Sequence, residues 1–173
     1  MTEKKTNILN AASALFAEEG YKGTSTNKVA KRAKVSEGLI FRHFGNKEGL
    51  LQAVLKQGEE RMKALFIPIV MELDPKEVIR KTITLPFTLP ESEHKFWRLQ
   101  YQVKWEMNYN SSAKLEPLKM ALRNAFEKLG YTQPRLEAEA LSLYLDGIAH
   151  NILLNEMENK EALCNFLLQK YGL

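Results

Sequence analysis

Residues Thr24 to Leu51 read TSTNKVAKRAKVSEGLIFRHFGNKEGLL, and this stretch decides the fold. Within it Val29, Ala30 and Ala33 recur at helical spacing, while Lys28, Lys31, Arg32 and Lys34 carry the charge. Ser36 stands where a helix N-cap belongs, its hydroxyl placed to accept from a free backbone N–H just before Glu37-Gly38-Leu39-Ile40-Phe41. The pattern predicts two short helices joined at Lys34-Val35-Ser36, then a break at Gly45-Asn46 and the start of another helix. So tight a joint makes a helix-turn-helix, whose second helix is the one that enters a DNA major groove.

The charge of the chain gathers around that stretch. Residues 1–50 hold nine of the 25 Lys and Arg and five of the 21 Asp and Glu, so 16 of each sign remain elsewhere. The whole net charge of +4 therefore lies with the helix-turn-helix, as a phosphate-binding surface requires, although solvated helices carry such an excess too. Hydrophobic content of 45% over 173 residues suits a globular protein with a real core. Cys164 is alone, which excludes an intrachain disulfide. No leader segment is legible at the polar N-terminus and no apolar run approaches the roughly 18 residues of a bilayer span, so a cytoplasmic protein without a membrane partner is expected.

Outward from the stretch, the pattern is helical throughout, and the expected fold class is all-α. A first helix from about Glu3 to Glu19 turns Ile8, Ala11, Ala12, Leu15 and Phe16 inward, and Gly20 is its expected C-cap. Tyr21 to Thr24 reads as a loop. Asn46 is placed to cap a helix from Lys47 to about Leu65, with Leu50, Leu51, Val54, Leu55 and Met62 inward, and Pro68 interrupts the next apolar run. Asp74-Pro75-Lys76-Glu77 opens a short helix to about Leu85 with an N-cap, a first-turn proline and an acidic third position. Pro86 and Pro90 bracket a loop. Further helices are expected over about 90–109, 113–129 (closing at Gly130), 134–158 and 161–170. The domain boundary falls at the start of the helix at Lys47: residues 1–46 form the helix-turn-helix domain and 47–173 a larger helical one.

The run Ala30, Ala33, Val35, Ser36, Gly38, Leu39, Phe41, Phe44, Lys47, Glu48, Leu50 resembles the N-terminal domain of the tetracycline-repressor (TetR) family of bacterial transcription regulators. Upstream, Ile8, Ala11, Ala12, Leu15, Phe16, Gly20, Tyr21 and Thr26 fall in the matching order. The likeness covers roughly the first third of the chain; beyond it only length and helical pattern agree.

The resemblance implies that Ser36, Glu37, Leu39, Ile40, Arg42 and His43 lie on or beside the DNA groove. Arg42 is the candidate for a guanine contact through its two-pronged guanidinium, and Leu39 for a thymine methyl. Thr26 and Lys47 would hold phosphates at helix N-termini, with Lys28 and Lys34 on the same basic surface and Gly38 permitting close approach. The residues alone read Ile40, Phe41 and Phe44 equally as core of the small domain. Two departures stand out. Lys34 takes a turn position where the family usually has Gly, at a cost of about 1 kcal/mol if its φ is positive. Phe41 and His43 stand where many relatives have Tyr, so Phe41 lacks a hydroxyl while His43 can still donate to a phosphate.

In the family the central helices bind small-molecule inducers. Here Phe96, Leu99, Val103 and Met107 share one face of an aromatic-rich helix, and Trp97, Tyr101 and Trp105 form a second stripe, flanked by Arg98, Gln102 and Glu106. Trp97, Arg98, Tyr101, Gln102 and Trp105 are thus candidate effector contacts, together with His150; an aromatic core packed on its neighbours explains the same pattern. The helix from Pro134 is also two-sided: Leu136, Ala140, Leu143, Gly147, His150 and Leu154 on one face, Leu141, Leu145, Ile148 and Ile152 on another. By resemblance such helices pair with a second copy. Leu136, Ala140, Leu143, Gly147 and Leu154 are the candidates for that dimer interface, and the spacing leaves open which face is core.

His43, His94 and His150 lack metal-ligand spacing with Cys164 or with paired carboxylates, and no nucleophile or phosphate-loop motif is present. No cofactor and no enzymatic activity are expected. The resemblance implies a homodimeric repressor that binds a pseudo-palindromic double-stranded DNA operator and is released by a small-molecule effector. An architectural DNA binder without sequence preference, or a small-molecule-binding or enzymatic protein keeping a helix-turn-helix as scaffold, are the alternatives.

Overall fold

The computed structural model describes residues 2–106 and 112–173, with side chains for all of these except 104–106 and 112–114. The described residues are helical without a strand: α1 (Glu3–Gly23), α2 (Thr26–Ala33), α3 (Glu37–Phe44), α4 (Lys47–Val70), α5 (Pro75–Thr84), a 3-10 turn (Leu85–Thr88), α6 (Glu91–Glu106), α7 (Ser112–Lys128), α8 (Pro134–Leu154) and α9 (Lys160–Lys170). Among them no helix is long and apolar enough to cross a membrane. They belong to two compact units, Met1–Arg61 with Lys95–Tyr109, and Met62–His94 with Asn110–Leu173.

The core of the first unit is the apolar face anticipated from helical spacing. Ile8, Ala12 and Phe16 of α1, Val29 and Ala30 of α2, Ile40 of α3, Leu50, Leu51 and Val54 of α4, and Leu99 and Val103 of α6 are buried together. Gly20 interrupts α1 as its expected C-cap position requires. It breaks the helix with φ 75° and ψ 162°, and Tyr21–Gly23 continue as a further turn rather than a loop. That turn is fixed by Thr24, whose buried hydroxyl reaches the carbonyls of Leu15 at 3.1 Å and Gly20 at 2.9 Å. Tyr21 then packs edge-on against Phe16, ring centroids 5.4 Å apart.

Asn46 caps α4 as expected, its side-chain oxygen accepting from the Gly49 N–H at 2.8 Å. Gly49 has no room for a side chain, because a Cβ there would collide with the backbone carbonyl of Phe44. Pro68 does not stop α4, which runs on to Val70. Proline frees the carbonyl four residues earlier, and here both Pro68 and Ala64 are exposed, so water can satisfy it.

In the second unit, Ile69, Val78, Ile79 and Ile83 pack with Leu118, Leu122 and Phe126 of α7 and Leu141, Leu145, Ile148 and Ile152 of α8. Asp74 caps α5 by accepting from the Lys76 N–H at 2.9 Å. Before it, Glu72 accepts from Lys81 and from the backbone N–H groups of Asp74 and Leu73, which hold its carboxyl down at about 2. The segment between Pro86 and Pro90 is not plain loop, since Leu85–Thr88 form a 3-10 turn. Gly130 closes α7 with φ 79°. α8 ends before Glu158, because Asn155 takes the left-handed conformation (φ 59°) and returns its N–H to the last turn.

Candidate nucleic-acid interface

The joint between α2 and α3 closes by local hydrogen bonding. Ser25 is the N-cap of α2: its hydroxyl accepts from the Lys28 N–H at 3.2 Å. At the other end Lys34 adopts φ 54° and ψ 45°, donates its N–H to Lys31 at 3.2 Å, and lets the Val35 N–H reach Ala30 at 3.0 Å. The turn therefore has the left-handed geometry that glycine normally supplies, held by a lysine at a cost of about 1 kcal/mol. Ser36 precedes α3 in extended conformation, but its hydroxyl makes no capping bond; the Ser36 carbonyl takes the Leu39 N–H instead, at 3.1 Å.

On α3 the buried and exposed faces divide cleanly. Ile40 is wholly buried, so its side chain is core and not a DNA contact. Leu39, His43 and Phe44 are half-buried, with Leu39 and Phe44 packed on the core, which leaves Leu39 only partly available to a base. Gly38 and Arg42 are exposed, and no atom lies within 4 Å of where a Gly38 Cβ would be. Phe41 is 45% exposed, which corrects the core assignment and puts an aromatic ring on the open side with Gly38 and Arg42. A helical wheel centred on Ile40 already carries that signal, since Phe41 falls 100° from it.

The polar groups around this face are unequally engaged. The Thr26 hydroxyl donates to the Glu37 carboxylate at 2.6 Å and the Asn27 amide approaches the other oxygen at 3.4 Å, so Glu37 spans the starts of α2 and α3. Asn27 was not singled out by sequence pattern, because only the folded joint brings it beside Glu37. Lys28 pairs with Glu19 and Arg32 with Glu18, each at 2.6 Å. The Arg32 hydrogen bond holds the Glu18 carboxyl below its usual range. Such exposed pairs add little stability, but they take two cations of α2 into internal partnerships. Lys31, Lys34 and Arg42 are exposed. Lys47 begins α4 with its ammonium 4.4 Å from the Tyr21 ring centroid and 3.5 Å from the Lys22 carbonyl.

The candidate effector residues are scattered by exposure. On α6 Trp97 is buried, with its indole N–H unpartnered, and its ring meets Phe96 edge-on at 5.3 Å. Tyr101 is half-buried, whereas Arg98 and Gln102 are exposed and do not flank the stripe in the interior. The side chains of Trp105 and Met107 lie outside the described residues. On α4 the Gln57 side-chain oxygen is also buried without a partner. His150 is half-buried on α8.

The two faces of α8 separate in the same manner. Leu141, Leu145, Ile148 and Ile152 are core, while Leu136 and Leu143 stand 60% and 67% exposed. Leu154 and Gly147 are exposed too, and Ala140 is half-buried.

Residues 8–54 match the model of the bacterial regulatory proteins of the tetR family. Over 50 residues the chain is 50% identical to the uncharacterized HTH-type transcriptional regulator YvkB of Bacillus subtilis, a stretch that is 29% of this chain and 26% of that relative. The matched segment thus spans about a quarter of the relative's length. The fold of a TetR-like transcriptional regulator from Rhodococcus sp. RHA1 superposes with a TM-score of 0.77 at 20% identity, covering 98% of this chain and 97% of that one. The transcriptional regulator FadR from Bacillus subtilis, solved in complex with stearoyl-CoA, gives 0.67 at 21% identity over 95% of each chain. At such identities the likeness speaks for the fold alone. Residues 8–54 thus carry the N-terminal signature of the tetR family of bacterial regulatory proteins, and the chain folds like those two solved regulators.

Proposed function

We propose that this chain is a sequence-specific DNA-binding transcriptional regulator that acts as a homodimeric repressor and leaves its operator when a small-molecule effector binds. The observation that carries the reading is the α2–α3 joint, with Gly38 and Arg42 exposed on α3 and Lys31 and Lys34 exposed at the end of α2, in a segment that matches the family model. Arg42 reads a guanine edge, and Thr26, Lys28, Lys34, Ser36, Lys47 and His43 meet or flank the phosphate backbone. Residues 1–46, with Lys47 at the boundary, contact DNA; residues 47–173 otherwise bind the effector and the second copy.

Two further observations favour the finer parts. The exposed apolar row Leu136, Leu143, Leu154 on α8, with exposed Gly147 and half-buried Ala140 among them, suits close approach of a second copy. The buried, unpartnered N–H of Trp97 is a donor that a ligand would satisfy. FadR holds an acyl-CoA in the same fold, which is consistent with a largely apolar effector here. Such an effector works only by binding better to the conformer that misfits the operator.

The test is selection of duplexes from a random-sequence pool at near-physiological salt. An inverted repeat with half-sites about one helical turn apart (roughly 34–36 Å) is expected. Binding without enrichment, vanishing as salt rises, would replace this reading with that of a non-specific DNA binder.

A further inference from the structure

We propose that Glu37 is a built-in brake on sequence-independent DNA binding: its carboxylate occupies the start of α2 and withholds the Thr26 hydroxyl from DNA phosphate. This rests on the DNA-binding reading above. Three observations carry it. The Thr26 hydroxyl has one proton, and it is committed to Glu37 at 2.6 Å. α2 has no acidic residue in its own first turn, so the negative charge beside its free N–H groups comes from α3, across the turn. And Glu37 is the sole carboxylate of α2 and α3, a joint whose Lys31, Lys34 and Arg42 are exposed, whereas the carboxylates of Glu18 and Glu19 are spent on Arg32 and Lys28.

A carboxylate in that position does two things to an approaching duplex. It subtracts one unit from the charge the interface offers to phosphates, whatever the base sequence. It also makes any phosphate that would take the Thr26 proton displace an ion already hydrogen-bonded there. The neighbouring Asn27 amide, 3.4 Å from the second carboxylate oxygen, helps keep Glu37 in place.

The experiment measures binding of the full-length protein to a random-sequence duplex and to its selected operator, across a salt series. Glu37→Ala is expected to raise affinity for the random duplex about tenfold and to steepen the slope of log K against log salt by about 0.9. Glu37→Gln, which keeps a hydrogen-bonding group but no charge, should steepen the slope as much with a smaller gain. In a Thr26→Val background the gain from Glu37→Ala should shrink, because the hydroxyl it frees is gone. Unchanged or weaker binding by both Glu37 variants overturns the proposal. So does a loss confined to one base pair of each half-site, which would make Glu37 a cytosine reader, and so does a gain undiminished in the Thr26→Val background. Should the wild-type chain bind no duplex at all, the DNA-binding reading fails first, and that is visible before any variant is compared.

Discussion

Helices α3 and α8 each bury one side and differ in what they leave outside. On α3 the outer side carries Gly38, Phe41 and Arg42, a small, an aromatic and a cationic residue within eight positions. On α8 it carries Leu136, Leu143, Tyr144 and Leu154, an apolar row over 21 residues. A mixed, charged face can stay in water until a polyanion arrives. An apolar row gains free energy only when another apolar surface covers it. The difference teaches that exposure must be read with chemistry: the same geometry suits the proposed salt-sensitive polyanion in one helix and the proposed second copy in the other.

The comparison breaks most readily on α8. Leu141→Ala is expected to cost about 2–5 kcal/mol in thermal or denaturant unfolding, because Leu141 is wholly buried among α7 and α8 side chains. Leu143→Ala should leave monomer unfolding within about 0.5 kcal/mol and instead raise the concentration at which the protein self-associates in sedimentation. Equal destabilisation by both would mean that α8 has no distinct outer face.

On α3 the expected effects are smaller and chemically selective. Arg42→Ala should lose about 1–3 kcal/mol of discrimination at one base pair of each half-site, while Lys47→Ala weakens all sequences alike. Uniform loss in both variants would take Arg42 out of base readout. Smallest is the turn itself. Lys34→Gly should stabilise the fold by about 1 kcal/mol, since glycine bears the left-handed conformation without a Cβ penalty. Weaker DNA binding by this more stable variant would show that Lys34 is kept for its charge.

How much of this was legible in the sequence varies with how locally each feature is determined. The α2–α3 joint was readable because turn chemistry acts over a few residues: the joint at Lys34-Val35-Ser36, the break at Gly45-Asn46 and the unusual lysine at 34 all emerge from neighbours in the chain. Within α3, Ile40 and Phe41 exchanged places relative to expectation. Both are apolar, and the wheel separates them by 100° only once packing has shown that Ile40 is the enclosed one. Ser36 does stand at the N-cap of α3, but its carbonyl rather than its hydroxyl takes the Leu39 N–H. For α8 the period was legible and the facing was not. Leu, Ile and Ala line both sides, and the choice is made by Leu118, Leu122 and Phe126 of α7, which periodicity within α8 cannot see. Arg98 and Gln102 show the same limit on α6: charge beside an aromatic stripe does not say which way it turns.

Gly38 and Gly49 look alike on paper, and saturation libraries would tell them apart. The space around Gly38 is open, so most side chains fit there in the unbound protein, and any intolerance at that position would report contact with DNA rather than folding. At Gly49 even alanine meets the Phe44 carbonyl, so folding itself should purge every substitution. The glycine on the open side of α3 is one the fold leaves free to vary, while the inconspicuous glycine in the next helix is fixed by the shape of the chain.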